Sequence, residues 1–483
     1  MKARPGNARC PVDLSGSRNT KFVACAGNPV LGVKIMIGML RAVIMGATLL
    51  TLLSAGGCVA RQPDVANTST APAATPAPSA TPTSKANADY LPLTLPVLDA
   101  FYAYEPFAEE LKAELQLTDE QVDKLRRVAR QETVRLRETE SDGYKGTTAA
   151  ARARATEKIK EIIGEEKTAQ LAALVRRRWG GDSAAIVASM PNAVPQDTRI
   201  IVNAPAYRMD LFESGRLVKS YKIGIGYPEF PLPTGLRKAD TIIFNPTWTP
   251  PDEPWVEQPG RKIQAGSRLN PLGLLKIPIG LPSLIHGGKA PAKLGGFASH
   301  GCVGLTDPQA QEFALWLAKL GGVDLTEEEV KEYAENRTET REVKLATPVP
   351  VELRYETIVA EDGRLHIYRD VYDRGTNTEE SLRATLTAHG VESGQLSADE
   401  EARVRDALQQ MARGSSDQPS PDANENKNAH RNRKPASGRV TRAIKGPKEM
   451  IVEIAALKGK GYPAPVDLNA GGAAEESAAG QRK

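Results

Sequence analysis

A cysteine at position 302 lies in the run Ala298-Ser299-His300-Gly301-Cys302-Val303-Gly304-Leu305, and a histidine stands 16 positions before it in Leu284-Ile285-His286-Gly287. A free thiol has a pKa of about 8.5, so at neutral pH only a small fraction is thiolate and a neighbouring base or cation is needed to make it a nucleophile. Histidine is the natural supplier of that base. His286 ends an apolar, strand-like stretch, and Gly287 leaves room for a backbone carbonyl to hold the ring's second nitrogen. Gly301 permits a tight turn that can aim successive N–H groups at an oxyanion. Two other readings compete: a buried thiol acting as a small hydrophobe, and a zinc site of His286, His300 and Cys302, which lacks a fourth ligand. His366 lies in an alternating strand and His389 beside Gly390 near a helix end; both read as structural.

Strands must position these groups. From Thr198 apolar residues recur with period two (Ile200, Val202, Met209, Leu211, Leu217, Val218, Tyr221, Ile223, Ile225), and Ser214-Gly215 marks a hairpin turn. Proline-rich loops follow (YPEFPLPTG, NPTWTPPDEPW), then Asn270-Pro271-Leu272-Gly273. Trp248 and Trp255 in the second loop serve either as loop anchors or as a platform for a glycan. Asp307-Pro308 has the form of an N-cap and first helical residue, opening the amphipathic helix QAQEFALWLAKL. Thr326 to Glu342, long and charged, reads as an insertion or a lid before the strands VPVELRYETIVA and RLHIYRDVY. The mainly β domain spans 196–372.

With 483 residues the chain has room for about three units of ordinary domain size. Apolar residues at 40% and charged residues at 25% exclude a chain that is disordered or polytopic throughout. A net charge of +4, spread along the chain, gives no field of the kind nucleic acid needs, so no nucleic-acid partner is expected. Cys10, Cys25 and Cys58 lie in or before a hydrophobic N-terminal stretch, so no disulfide framework is available to the folded part.

That stretch, AVIMGATLLTLLSAGG from Ala42 to Gly57, is uncharged and follows Arg41; it is short for a spanning helix and suits a signal peptide, placed at 1–57 with its true start at Met36 or Met39. Ser54-Ala55-Gly56-Gly57-Cys58 resembles a bacterial lipobox, which implies lipid attachment at Cys58, an anchor in a membrane (the outer one favoured) and a periplasmic or envelope location. Residues 58–89, dominated by Ala, Pro, Thr and Ser, form a tether.

Residues 90–190 read as a helical module, a hairpin or small bundle. Leu117-Thr118-Asp119-Glu120-Gln121 has the order of a capping box, followed by Val122, Leu125, Val128, Ala129 and Leu136 at helical spacing. Gly143 and Gly146 interrupt, and Ile159, Ile162, Ile163, Leu171, Leu174, Val175 and Trp179 give a second apolar face. The LTxxQ string over 104–180 resembles periplasmic helical proteins of the Spy and CpxP type, with a degenerate second copy at Ile163 to Lys167, and leaves room for a protein partner. Residues 379–413 carry short helical patterns, and 414–483, basic and poor in apolar bulk, read as a mostly disordered tail.

HG followed by SHGC, together with NPTWTPP, NPLG and the upstream strand hairpin, resembles the catalytic domain of the L,D-transpeptidases of YkuD type over residues 196–372. The resemblance implies a β-sandwich-like domain with a short helix after the nucleophile, peptidoglycan stem peptides as substrate, and no metal or organic cofactor. It implies Cys302 as the acylated nucleophile, His286 with Gly287 as the base and its support, and Ser299, His300 and Gly301 as the shapers of the loop and oxyanion site. One departure stands out: the family pattern SHGCxR has Arg two residues after the cysteine, and this chain has Gly304. Two alternatives to a transpeptidase therefore remain: a wall-binding scaffold lipoprotein that has lost turnover, and an L,D-carboxypeptidase in which water replaces the acceptor amine.

Overall fold

The computed structural model describes residues 91, 93–134, 148–180, 190–250, 260–280, 283–414 and 441–468. Cys58, the signal and tether segments, Leu136, Gly143, Gly146 and Trp255 lie outside the described residues.

Four helices open the described chain: α1 (Leu95–Tyr102), α2 (Glu105–Leu115), α3 (Asp119–Val134) and α4 (Thr148–Gly180). The capping box forms as its residue order predicts. Thr118 N–H donates to Gln121 Oε1 at 3.0 Å and Gln121 N–H donates to Thr118 Oγ1 at 3.2 Å, satisfying two of the orphan donors at the start of α3. Gly164 takes φ +81°, which splits α4 into two helical stretches at the degenerate second copy of the LTxxQ string. Val122, Leu125, Ala129, Ile159, Ile163, Leu171, Leu174, Val175 and Trp179 are buried, so the helical spacing identified the inward face.

The β domain is one ten-stranded mixed sheet with strand order β3-β2-β1-β10-β5-β6-β7-β9-β4-β8. Its strands are β1 (Arg199–Asn203), β2 (Arg208–Glu213), β3 (Arg216–Lys222), β4 (Gly224–Gly226), β5 (Gly235–Phe244), β6 (Leu275–Pro278), β7 (Leu284–His286), β8 (Gly296–Ser299), β9 (Val303–Gly304) and β10 (Arg341–Arg354). Ser214 and Gly215, at φ +49° and +80°, make the two-residue β2–β3 hairpin turn. After β9 comes α5 (Asp307–Leu320), which buries Ala310, Phe313, Ala314, Leu317 and Ala318 against the sheet core. Its N-cap is Thr306, one residue before the expected Asp307: the Thr306 hydroxyl accepts from Gln309 N–H and completes a capping box, while Asp307 is drawn away to other donors. The order of helices, then a mainly β domain with a helix after the cysteine, is the expected one.

The charged stretch after α5 is neither loose nor a lid. It forms α6 (Glu327–Glu335), buries Val330 and sets Tyr333 5.1 Å from Phe244. Asn245, at the head of NPTWTPP, fixes it: Nδ2 lies 2.6, 3.0 and 3.1 Å from the carbonyls of Tyr333, Asn336 and Glu339, and Thr340 Oγ1 donates to the Asn245 carbonyl at 2.7 Å.

Two boundary expectations change at the C-terminal side. β11 (Ile358–Glu361) and β12 (Arg364–Tyr368), read as part of the 196–372 domain, leave the main sheet and pair with β13 (Glu449–Glu453). The segment expected to be disordered from 414 onward therefore contains a strand. The reason is that α7 (Glu379–Ala388) and α8 (Ala398–Met411) present Leu382, Leu386, Val404, Leu408 and Met411 to this small sheet, and alternating Val452 fills the same core at 4% exposure. Burying one such valine contributes about 1.5–3 kcal/mol.

The helical module is fastened to the β domain at polar points. Thr94 Oγ1 donates to the Glu229 carbonyl at 2.5 Å, Arg152 donates to the Asp373 carbonyl at 2.8 Å, and the Arg237 guanidinium donates to the Trp179 carbonyl at the end of α4. Among the described residues no helix is long and apolar enough to cross a membrane.

Candidate active site

β7 and β9 pair in parallel, with Ile285 opposite Val303 and His286 opposite Gly304. Cys302 stands immediately before β9, two residues from the Gly304 that pairs with His286. The sheet, not the loop alone, thus brings the two chain segments side by side.

His286 is 2% exposed. Its Nδ1 lies 2.8 Å from the Gly287 carbonyl. A carbonyl only accepts, so Nδ1 carries the proton and Nε2 keeps its lone pair. Burial, reinforced by the nearby Lys289 cation, pushes the ring down to about 3, while backbone groups of Gly287 and Leu272 pull the other way. The imidazole is neutral at physiological pH and available as a proton acceptor. Leu272 belongs to the NPLG run, where Asn270 Oδ1 accepts from Leu272 N–H at 3.1 Å and Asn270 Nδ2 donates to the Pro246 carbonyl at 2.7 Å.

The cysteine sits in a turn closed by its own neighbour. Ser299 Oγ donates to the Cys302 carbonyl at 2.6 Å and accepts from the Cys302 N–H at 2.9 Å. Gly301 takes φ +93°, a region that favours glycine, and Ser283 Oγ donates to its carbonyl at 2.8 Å. The expectation that successive N–H groups around Gly301 and Cys302 aim at an oxyanion is corrected at Cys302, whose amide is engaged by Ser299. Burial raises the Cys302 thiol above its ordinary value; a backbone hydrogen bond from Leu284 and the charge of Lys289 act against that rise. His300 is held edge-on between Tyr227 and Phe230, with ring centroids 5.0 and 4.7 Å away, so its ring packs in the loop.

Asp307, read from the sequence only as a helix cap, and Ser283 and Lys289, which the sequence did not single out, complete the surroundings. Asp307 Oδ1 accepts from Leu274 N–H at 3.0 Å and Gly288 N–H at 2.8 Å, tying the start of α5 to the turn after His286. Ser283 supports Gly301 as above. Lys289 donates its N–H to the Leu305 carbonyl at 3.0 Å, and Leu305 N–H donates to the His286 carbonyl at 2.9 Å. Their signal is tertiary: each reaches across strands, and no local period marks it. Behind the loop, the Tyr372 hydroxyl donates to the Gly226 carbonyl at 2.9 Å and accepts from Leu232 N–H at 3.3 Å.

Among the described residues no three His, Cys, Asp or Glu side chains are grouped as a metal site would require. The arrangement offers a thiol, a neutral buried imidazole of fixed tautomer and a cation, which is the equipment for acyl transfer through a thioester.

Residues 197–351 match the family model described as the L,D-transpeptidase catalytic domain (YkuD). No curated protein matches the chain. Similar solved structures include the Ldtfm-avibactam carbamoyl enzyme, 18% identical with a TM-score of 0.22, covering 33% of this chain and 49%, about half, of that one. The catalytic domain of the E. faecium L,D-transpeptidase is 17% identical with a TM-score of 0.22, covering 34% of this chain and 100% of that one. An L,D-transpeptidase from Mycobacterium smegmatis is 13% identical with a TM-score of 0.19, covering 32% and 58%. The match to an L,D-transpeptidase catalytic domain thus covers residues 197–351, about a third of the chain, and that stretch carries both His286 and Cys302.

Proposed function

We propose that the chain is a peptidoglycan L,D-transpeptidase. The observation that supports this reading is the parallel β7–β9 pairing within the family-matched residues, which puts the segment just after Cys302 beside a His286 ring held through Nδ1. His286 Nε2 takes the Cys302 proton as sulfur attacks the carbonyl of the third, L-centred residue of a tetrapeptide stem. The carbon–nitrogen bond breaks, the proton passes to the departing amine of D-alanine, and a thioester remains. An acceptor amine from a neighbouring stem then attacks the thioester, sulfur leaves, and the new amide cross-links two third residues. The energy of the broken amide is kept in the thioester, so the step needs no nucleotide.

Incubation of the protein with disaccharide-tetrapeptide, followed by mass spectrometry, tests this. Cross-linked dimer is expected; tripeptide alone would make the protein an L,D-carboxypeptidase, and unchanged substrate with unmodified Cys302 would sink the enzymatic reading. The same proposal places the chain on a membrane through lipid at Cys58, the outer membrane being favoured. Fatty-acid label that is equal in wild type and Cys58→Ala would remove that part.

A further inference from the structure

We propose that Glu229 is a positioning residue for the cysteine turn, the clasp at which the helical module and the C-terminal segment 441–448 hold the strand that leads into Cys302. The kinetic consequence of this rests on the transpeptidase reading; the structural consequence does not.

The clasp is built on the turn Tyr227–Phe230 between β4 and β5, closed by the Phe230 N–H donating to the Tyr227 carbonyl at 2.8 Å. This turn lies directly on the cysteine loop. Tyr227 N–H donates to the Ser299 carbonyl at 2.9 Å, and the Tyr227 and Phe230 rings pack on either side of His300. The approach is close enough to exclude a side chain at Gly226, whose Cβ would run into the Phe230 carbonyl oxygen and stand 3.0 Å from Gly301 Cα and N. A shift of the turn is therefore passed to His300 and Gly301, the two residues before Cys302.

Glu229 fixes the turn from two sides. Thr94 is the N-cap residue of α1, but its side chain makes no capping bond; the hydroxyl donates instead to the Glu229 carbonyl. The Glu229 carboxyl is buried and accepts from both the N–H and the hydroxyl of Thr441. A buried carboxyl is costly without such bonds, so they dictate where the side chain and its turn must lie. The segment that begins with Thr441 then grips the same strand at both ends. The Arg442 guanidinium lies over the Tyr227 ring, 5.8 Å from its centroid. At the other end Lys448 Nζ donates to the carbonyl of Gly295, immediately before β8, at 2.5 Å. Arg369 secures that end, its Nε donating to the Pro447 carbonyl at 2.7 Å and its backbone N–H to the Lys448 carbonyl at 2.9 Å. Since β8 runs from Gly296 to Ser299, segment 441–448 is bonded at the start of β8 and, through Glu229 and Tyr227, at its end.

Two readouts test this on the full chain. The first needs no turnover: amide hydrogen exchange, read by mass spectrometry, of a peptide covering 296–303 and of one covering 349–354 in β10. Thr441→Val removes the hydroxyl bond to Glu229 and is expected to speed exchange over 296–303 about threefold or more while leaving 349–354 unchanged. Exchange unaltered over 296–303, or raised equally over 349–354, overturns the proposal. The second readout is kinetic. Glu229→Ala removes every carboxyl bond and is expected to lower kcat about tenfold with little change in KM, as misplacement of a reacting group does. Glu229→Gln keeps the shape and one acceptor oxygen, and should restore most of kcat. A rise in KM with kcat unmoved overturns the positioning role; if Glu229→Ala does not fold, Thr441→Val carries the kinetic comparison as well. If exchange responds as expected while the wild type turns over no peptide, the clasp stands and the transpeptidase reading fails.

Discussion

Ser299 and Cys302 are joined twice, the serine hydroxyl giving a hydrogen bond to the cysteine carbonyl and taking one from the cysteine amide, so one side chain closes the turn that presents the sulfur. Ser299 is 5% exposed, so water does not readily replace either bond. Ser299→Ala is expected to destabilise the protein by about 1–3 kcal/mol, the cost of leaving a buried backbone group without its partner. It should lower kcat more than it raises KM, because the sulfur is displaced rather than the substrate contacts. Ser299→Thr keeps the hydroxyl and is expected to restore most of the activity. Denaturant melts and steady-state kinetics on the two variants decide it; an alanine variant with wild-type kcat would remove the positioning role.

His286 gives a pH signature of known sign. Its folded value, about 3, lies below the ordinary imidazole value of about 6.5. As pH falls from about 6.5 the unfolded chain takes up the proton first, so the native state loses stability between about 6.5 and 3. The acid limb of kcat/KM should likewise fall near 3, not near 6.5, and the alkaline dependence of Cys302 alkylation should lie above the ordinary thiol value because burial raises it. An acid limb at pH 6 to 7 would contradict the buried, neutral ring.

Glu229 works in the opposite direction. Its carboxyl, 3% exposed, is pushed up to about 7 by burial, although Thr441 N–H (3.1 and 3.2 Å) and Thr441 Oγ1 (2.8 Å) bond to it. A raised folded value means that the native state holds the proton longer: the contribution is fully present below the ordinary carboxyl value of about 4.3 and is lost as pH rises through about 7. Glu229→Gln should flatten this part of the stability profile between pH 4 and 8. Urea midpoints measured across that range are sufficient, and a slope identical to wild type would show that the carboxyl does not titrate there.

Asp307 holds the turn after His286 from the side of α5. Asp307→Ala strands the part-buried N–H of Leu274, for which a loss of about 1–3 kcal/mol is expected, while the exposed Gly288 N–H turns to water. Asp307→Asn keeps a side-chain oxygen and should lose much less. Equal stability of the two variants would show that water replaces the carboxylate.

What could be read from the sequence was what lies close along the chain. Thr118 and Gln121 are three residues apart, so the capping box was visible as a string; Ser299 stood out only through the family resemblance, and its two bonds to Cys302 were not foreseen. The inward faces of α3 and α4 followed from helical spacing. The approach of the Lys289 stem to Gly304 was invisible because the two are fifteen residues apart and meet across a strand pair. β13 was missed because composition averaged over a basic tail hides a five-residue edge strand whose apolar content is Met450, Ile451 and Val452, of which only Val452 is buried. The helix start was misplaced by one residue because Asp307 and Thr306 are both good caps, and the choice is made by Leu274 and Gly288, which draw the aspartate away.

Tyr372 lies 21 residues beyond the last residue shared with the family model, yet its hydroxyl stitches Gly226 to Leu232 behind the cysteine turn. The edge of common sequence is thus not the edge of the smallest piece that can stand alone. A fragment cut at 351 would carry every residue of the recognisable signature while lacking a brace beneath it, and limited proteolysis should leave a resistant core that reaches past 372.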